Sequence, residues 1–126
     1  LLHALLEEGY VPVICPPALS TEGQIINTDN DGIVAAVAGA LNIKKVISLF
    51  EAPGFLKNLD DPKSVIRNLS KSDLDENMKF AVGRMKKKLL GAKRAFALGV
   101  EQVYWGDGRK KHPVTGALSG KGTVIS

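Results

Sequence analysis

Five consecutive polar residues, Asn27 to Asp31, offer the clearest chemistry in the sequence. Because side chains alternate along an extended chain, an extended stretch here would place Asn27, Asp29 and Asp31 on one face. Three polar side chains would then converge on one site. A helical pattern of apolar and small residues begins at Gly32, so Asp31 is also well placed to cap a first helical turn. From the residues alone, a ligand site and a simple cap both stay open.

A calcium loop is the sharpest alternative for this cluster. Asn27, Asp29, Asp31 and Gly32 fill positions 1, 3, 5 and 6 of the EF-hand pattern. Position 12 would be Ala38, where that pattern requires a bidentate Glu, and the loop would have to include a helical segment. We therefore exclude calcium and predict no metal site in the chain.

The residue spacing also excludes two other functional motifs. Lys121 and Thr123 lie near a glycine-rich stretch, but Gly122 separates them and a strand pattern follows, so the spacing of a phosphate-binding loop is absent. His3 and His112 have no partners at the spacing of a metal site or a catalytic triad.

Three consecutive lysines, Lys86 to Lys88, form the second chemical group. They lie within a pattern of apolar residues spaced four and three apart, which predicts a helix with one buried stripe. At about 100° per residue, Lys87 points away from this stripe, whereas Lys86 and Lys88 lie on its two edges. Most runs of lysine are a solvated basic face, and only an edge lysine can reach a site beside the core. Gly83 interrupts the pattern and marks a break where a ligand could approach. The stripe consists of Met78, Val82, Met85, Leu89, Ala92 and Phe96.

Short apolar runs alternate with helical patterns along the chain, which predicts an α/β fold with a mainly parallel sheet covered by helices. The predicted helices are Leu1 to Glu8, Gly32 to Leu41, a short helix from Pro62 through Leu69, and the helix that starts at Ser72 to Glu76 and carries the lysines. The predicted strands are Val11 to Cys15, Gln24 to Thr28, Lys45 to Phe50, Glu101 to Trp105 and Thr123 to Ile125, the last after a turn over 116–122.

The amino-acid composition of the chain excludes some classes of function. The 17 basic and 13 acidic residues give a net charge of +4, but 11 of the basic residues lie in 57–94 without interleaved aromatics, which argues against nucleic-acid binding. Attraction to the phosphates of a nucleotide or to an acidic partner fits this local excess better.

No apolar run approaches the roughly 20 residues of a membrane helix. A single cysteine, Cys15, suits a reducing compartment, so we predict a cytoplasmic protein.

Four separated motifs resemble the amino acid kinase family. The first two are 9–14 and the polar cluster at 27–31 with the alanine-rich helix pattern after it. The third is 83–88, and the fourth is the tail from Pro113 to Ile125. The last two are most similar to the kinases that phosphorylate aminoadipate or glutamate carried on an amino-group carrier protein. Asp29 stands where acetylglutamate kinases often have Asn, which also favours the carrier-protein branch.

The resemblance implies a three-layer α/β/α sandwich of the carbamate kinase type. It implies transfer of the γ-phosphoryl group of MgATP to a side-chain carboxylate, giving an acyl phosphate, in lysine or arginine biosynthesis. Residues 1–126 would be the C-terminal, nucleotide-binding half of a homo-oligomeric protein, with the N-terminal acyl-substrate domain outside this chain. The family's N-terminal lysine and glycine loops are not in this sequence, so we expect weak nucleotide binding and no turnover from these residues alone.

The resemblance also assigns roles to individual residues. Lys88 matches the lysine that stabilises the phosphoryl group in flight, and Asp31 matches the aspartate that orients the catalytic lysines. Asn27 matches a residue that contacts the acyl substrate. The nucleotide-binding segments contain Glu51, where the family has Asp or Asn, and Gly54, Phe55, Leu56, Gly83 and Met85.

Two alternatives remain. The protein could be an acetylglutamate kinase that acts on free N-acetylglutamate, or a nonenzymatic domain that senses a nucleotide or another ligand. A sensing domain would not need Lys88 and Asp31 together, so their joint presence favours an enzyme.

Overall fold

The computed structural model describes residues 1–126, which form five helices, two 3₁₀ turns and six strands. The helices are α1 (Leu2–Glu7), α2 (Asn30–Ala40), α3 (Leu74–Asn77), α4 (Arg84–Ala97) and α5 (Pro113–Leu118). The strands are β1 (Ala18–Leu19), β2 (Ile25–Ile26), β3 (Lys45–Phe50), β4 (Asn68–Leu69), β5 (Gln102–Asp107) and β6 (Thr123–Ile125). The 3₁₀ turns are Lys71–Asp73 and Met78–Phe80.

The main sheet has the strand order β3-β5-β6-β4. β3 pairs with β5 and β4 pairs with β6 in parallel, while β5 and β6 are antiparallel. The predicted α/β fold with a mainly parallel sheet is therefore confirmed. Phe50 and Asp107 are register partners, so the carboxyl ends of β3 and β5 lie level. Ligands of open α/β sheets bind at such ends.

Helices cover both faces of the sheet. Trp105 belongs to the core that α2 and α4 cover, together with Leu89 and Ala92. Gly106, the next residue along β5, approaches Ala117 of α5. Because successive strand residues point to opposite faces, α5 lies on the face opposite α2 and α4. The layers are thus helix, sheet and helix, as the resemblance implied.

Trp105 is the largest side chain of the core and is 2% exposed. The rings of Phe50 and Phe55 each meet its indole edge to face, with centroids 6.2 Å apart. Such pairs contribute about 0.5–1.5 kcal/mol beyond the burial of their area. This aromatic group fixes the end of β3, and the loop that follows it, against β5.

Glycines let α2 and α4 approach closely. A Cβ atom at Gly91 in α4 would lie 2.6 Å from the Cβ of Asp31 in α2, which is well inside van der Waals contact. A Cβ at Gly39 in α2 would lie 2.8 Å from the Cβ of Leu98, just after α4. At each of these two contacts, the backbone of a glycine lies directly against a side chain from the other segment. Asp31 is therefore held against one turn of α4.

The predicted strand at Val11 to Cys15 is wrong. These residues form no ladder, and Val11 and Val13 are 86% and 92% exposed. A strand needs the backbone of a neighbouring strand for its hydrogen bonds, and none lies beside this run within residues 1–126. The predicted strand at Gln24 to Thr28 is reduced to β2, which pairs with β1 in a separate two-stranded sheet.

Two helix predictions and one turn prediction also need correction. Pro62 starts no helix; Ser64 and Asn58 close a turn by hydrogen bonds, and β4 follows. The helix with the lysines begins at Arg84, so Met78 and Val82 are not part of its stripe. The first part of the predicted turn over 116–122 belongs instead to helix α5. This helix starts at Pro113, and proline is favoured at the first position of a helix.

None of the helices has both the length and the apolar character needed to cross a bilayer.

Replacing Gly91 with Ala tests the close packing of α2 on α4. Alanine favours a helix by about 1 kcal/mol over glycine, but here its methyl group would collide with Asp31. We expect a net loss of about 1–3 kcal/mol in the free energy of unfolding, as for other overpacked sites, measured by urea denaturation.

Gly116→Ala in α5 is the matched control, because a Cβ there would meet only Lys121 at 3.9 Å. That variant should be neutral or slightly stabilised. Equal stability of the two variants would contradict the packing argument.

Candidate functional site

Asp29, rather than Asp31, caps helix α2. The carboxylate of Asp29 accepts a hydrogen bond from the backbone N–H of Gly32 at 3.1 Å. Asp31 lies inside the first turn of α2, so the predicted extended face of Asn27, Asp29 and Asp31 is wrong. Because Asp29 satisfies the helix terminus, the carboxylate of Asp31 is free to bind another group.

Asp31 binds Lys88. The Nζ of Lys88 donates a hydrogen bond to Oδ1 of Asp31 at 3.1 Å, and the two side chains are 22% and 21% exposed. The same ammonium group lies 5.2 Å from the centroid of the Phe50 ring. An ion pair in this partly dry position is screened less than one at the surface. The structure thus brings together the two residues predicted as the catalytic pair.

Two open clefts meet at this ion pair. The polar cleft, of about 600 Å³, is lined mainly by the loop before α2 and by the start of α4. The strand-end cleft, of about 420 Å³, lies at the carboxyl end of β3. Arg84 and Lys88 are the only residues that line both. The polar cleft is lined by Pro16, Asn27, Thr28, Asp29, Asn30, Asp31, Arg84, Lys87 and Lys88. The strand-end cleft is lined by Phe50, Glu51, Ala52, Arg84, Met85 and Lys88.

The polar cleft contains the predicted substrate residue Asn27, whose side chain is exposed there. Beside it, the hydroxyl oxygen of Thr28 is buried without a hydrogen-bond partner. Lys87 is exposed, as its angle on the helix predicted, but it also lines this cleft. Lys86 is exposed and lines neither cleft.

A tight turn at Gly83 positions the start of α4. Gly83 has φ 55° and ψ −120°, and the N–H of Met85 donates to the carbonyl of Val82 at 3.1 Å. These angles belong to the first central residue of a type II′ turn, which glycine occupies most easily. The predicted break in the helical pattern is therefore real. It aims Arg84 and Met85 at the strand-end cleft.

The predicted nucleotide segment after β3 divides into two parts. Glu51 lines the strand-end cleft, whereas the side chains of Phe55 and Leu56 are buried and do not reach it. The N–H of Phe55 donates to the hydroxyl of Thr123 at 2.8 Å, and a Cβ at Gly54 would lie 2.7 Å from the same oxygen. Gly54, Phe55 and Leu56 thus anchor the loop to β6 through the core.

A charge pair at the end of β5 was not predicted from the sequence. Nε and Nη2 of Arg109 donate to the two oxygens of Asp107 at 2.8 and 2.9 Å, and the N–H of Arg109 adds a third hydrogen bond. These hydrogen bonds lower the pKa of Asp107 from 3.8 to about 2. The same hydrogen bonds and the charge of Asp107 raise the pKa of Arg109, and the charge of Glu51 adds a smaller increase. The signal was present in sequence, since an acid directly ends an apolar strand and a base follows two residues later.

A third cleft, of about 700 Å³, lies on the other face of the sheet beside α5. Lys110, Lys111, His112 and Lys121 give it a basic lining. It is separate from the ion pair, because neither Asp31 nor Lys88 lines it. No group of three or more His, Cys, Asp or Glu side chains is gathered anywhere in the structure as a metal site would require.

Comparison with protein families matches residues 1–104 to the amino acid kinase family. The LysW-aminoadipate kinase of Deinococcus radiodurans is 44% identical over 126 residues, which are all of this chain and 43% of that protein. The acetylglutamate kinase of Methanosarcina mazei is 35% identical over 130 residues, covering 99% of this chain and 44% of that protein. The chain thus spans less than half the length of these curated relatives.

A solved structure shares the fold. The N-acetylglutamate synthase of Neisseria gonorrhoeae, complexed with coenzyme A and L-arginine, superposes with a TM-score of 0.87. It is 23% identical, and the match covers 99% of this chain and 30% of that one. At this identity the likeness concerns the fold alone.

The low pKa of Asp107 predicts an acid-dependent loss of stability. A carboxyl whose pKa is lower in the folded than in the unfolded state contributes stability that is present above the unfolded value and lost as pH falls through the folded value. We therefore expect the stability advantage of the wild-type chain over Asp107→Asn to shrink as pH falls from 3.8 to about 2. Urea denaturation across this range measures it. A constant difference between the two proteins would show that Asp107 is not held as its ion.

Proposed function

The chain belongs to the amino acid kinase family, and on that premise we propose that it is the nucleotide-binding part of an ATP-dependent kinase that phosphorylates a side-chain carboxylate. The carboxylate oxygen of the substrate attacks the γ-phosphorus of ATP, and the bond to the β,γ-bridging oxygen breaks. The products are an acyl phosphate and ADP. Such transfer depends mainly on positioning and on positive charge at the phosphoryl group.

The ion pair of Lys88 and Asp31 carries this proposal. A lysine free in solution samples many rotamers, whereas Asp31 and the Phe50 ring hold this ammonium at one point. That point lies where the two clefts meet, and so where a group would pass from one bound molecule to another. A positive charge fixed in advance stabilises charge that develops in the transition state without reorganising.

The strand-end cleft fits the donor. Phe50, Ala52 and Met85 provide apolar contacts, and Arg84 and Lys88 provide cations for phosphates. Mg²⁺, which neutralises phosphate charge in such reactions, is usually held by one or two carboxylates together with the phosphates. Glu51 is the carboxylate of this cleft that could take this part. We assign the predicted roles of Gly54, Phe55, Leu56 and Gly83 to backbone positioning around the nucleotide.

The polar cleft fits the acceptor. Its amide groups and its cations can bind a carboxylate substrate, and we assign Asn27 to the acyl group as the sequence resemblance implied. We propose that the substrate is aminoadipate or glutamate carried on an amino-group carrier protein. The 44% identity to a LysW-aminoadipate kinase supports this choice, and the exposed Lys87 of this cleft suits an acidic carrier.

The alternative substrate is free N-acetylglutamate, which the 35% identity to an acetylglutamate kinase favours. A nonenzymatic sensing domain is less well supported, because it would not need the ion pair between Lys88 and Asp31. We further propose that the whole protein contains an additional N-terminal acyl-substrate domain, is a cytoplasmic homo-oligomer, and requires both parts for turnover. Residues 1–126 alone should bind nucleotide weakly and form no acyl phosphate.

The substrate proposal is tested in the full-length protein by trapping the acyl phosphate with hydroxylamine in the presence of MgATP. Carrier-bound aminoadipate, carrier-bound glutamate and free N-acetylglutamate are supplied in parallel. We expect ATP-dependent product from a carrier-bound substrate. Product from the free substrate alone would select the alternative, and no product from any of them would overturn the kinase assignment.

Truncation of Lys88 tests its catalytic role. We expect Lys88→Ala to lower kcat by on the order of 100-fold or more, with a smaller change in KM for ATP, because a charge used in the transition state affects turnover most. Lys86→Ala is the matched control, since Lys86 lies on the same helix but lines neither cleft. Similar small effects in the two variants would leave Lys88 as a surface charge.

A further inference from the structure

Arg84 is the second cation at the boundary between the two clefts. Apart from Lys88, it is the only residue that lines both the polar cleft and the strand-end cleft. A group that moves from a donor in one cleft to an acceptor in the other must pass these two side chains. This placement distinguishes Arg84 from the cations of α4 other than Lys88, which line one of these clefts or neither.

The guanidinium of Arg84 has no protein partner. It makes no ion pair, and it takes part in no side-chain hydrogen bond. The carboxylates of the polar cleft are already engaged, because Asp29 caps α2 and Asp31 binds Lys88. The positive charge of Arg84 is therefore available to an anionic ligand.

Arg84 and Lys88 also share one side of α4. They are four residues apart, and side chains at this spacing lie one above the other, with Cβ atoms about 6 Å apart. The type II′ turn at Gly83 fixes where α4 begins and places Arg84 in its first turn. Two cations at this separation can contact different oxygens of one tetrahedral phosphoryl group.

We propose that Arg84 is a catalytic residue that binds the transferring phosphoryl group together with Lys88. The inference rests on the proposed function and adds a residue to it. As the substrate carboxylate forms its bond to the γ-phosphorus and the bond to the bridging oxygen breaks, charge spreads over the three equatorial oxygens. The planar guanidinium donates two parallel hydrogen bonds to two of these oxygens, a geometry that a lysine ammonium cannot provide. Lys88 supplies the compact charge, and Arg84 fixes the orientation.

The test compares Arg84→Ala, Arg84→Lys and Lys86→Ala in the full-length protein. We expect Arg84→Ala to lower kcat by on the order of 100-fold while KM for ATP changes much less. Arg84→Lys should recover part of the loss, since it keeps the charge but not the paired hydrogen bonds. Lys86→Ala should retain the wild-type kcat. Thermal denaturation of each variant confirms that it is folded.

A second readout reports on the transition state directly. ADP with aluminium fluoride and the acyl substrate mimics the phosphoryl group in flight, and it should inhibit the wild-type protein and Lys86→Ala much more strongly than Arg84→Ala.

An Arg84→Ala variant with the kinetics of Lys86→Ala, or with only a higher KM for the acyl substrate, would overturn this inference alone. Absence of turnover in the wild-type protein would overturn it together with the proposed function.

Discussion

The ion pair between Lys88 and Asp31 is the interaction on which the rest of the site depends. Each side chain is only about one-fifth exposed, so each charge would be costly without its partner. The pair forms because α2 and α4 approach at Gly91, where no side chain separates the helices. The cap that Asp29 provides leaves the Asp31 carboxylate free for Lys88. The fold thus holds one ammonium group at the end of the sheet, between two clefts.

Several parts of this arrangement were predictable from local sequence. Lys88 could be separated from Lys87 because the angular position of each residue on a helix follows from its spacing to the apolar stripe. Gly83 signalled a break in the helical pattern, since glycine lowers helix stability, although the predicted helix began before it. The apolar runs of β3 and β5 were found because a buried parallel strand is apolar on both faces. Each of these features depends on a residue and its near neighbours.

Several of the errors concern features that depend on distant partners. The run at Val11 to Cys15 has the composition of a strand, but a strand forms only where another backbone lies beside it. Asp29 and Asp31 are equally good caps by residue type, and only the helix geometry selects between them. The sequence also did not show that Trp105 and Thr123, which are far away in sequence, hold the side chain of Phe55 in the core. The Asp107–Arg109 pair is local in sequence, but it was missed because the predicted strand ended at Trp105, whereas β5 continues to Asp107.

We propose that the ion pair marks the point where phosphoryl transfer takes place. A crystal structure of the full-length protein with Mg²⁺ and a nonhydrolysable ATP analogue tests it most directly. We expect the triphosphate to occupy the strand-end cleft, with an oxygen of the γ-phosphate about 3 Å from Nζ of Lys88. A triphosphate bound instead in the basic cleft beside α5, against His112 and Lys121, would contradict it.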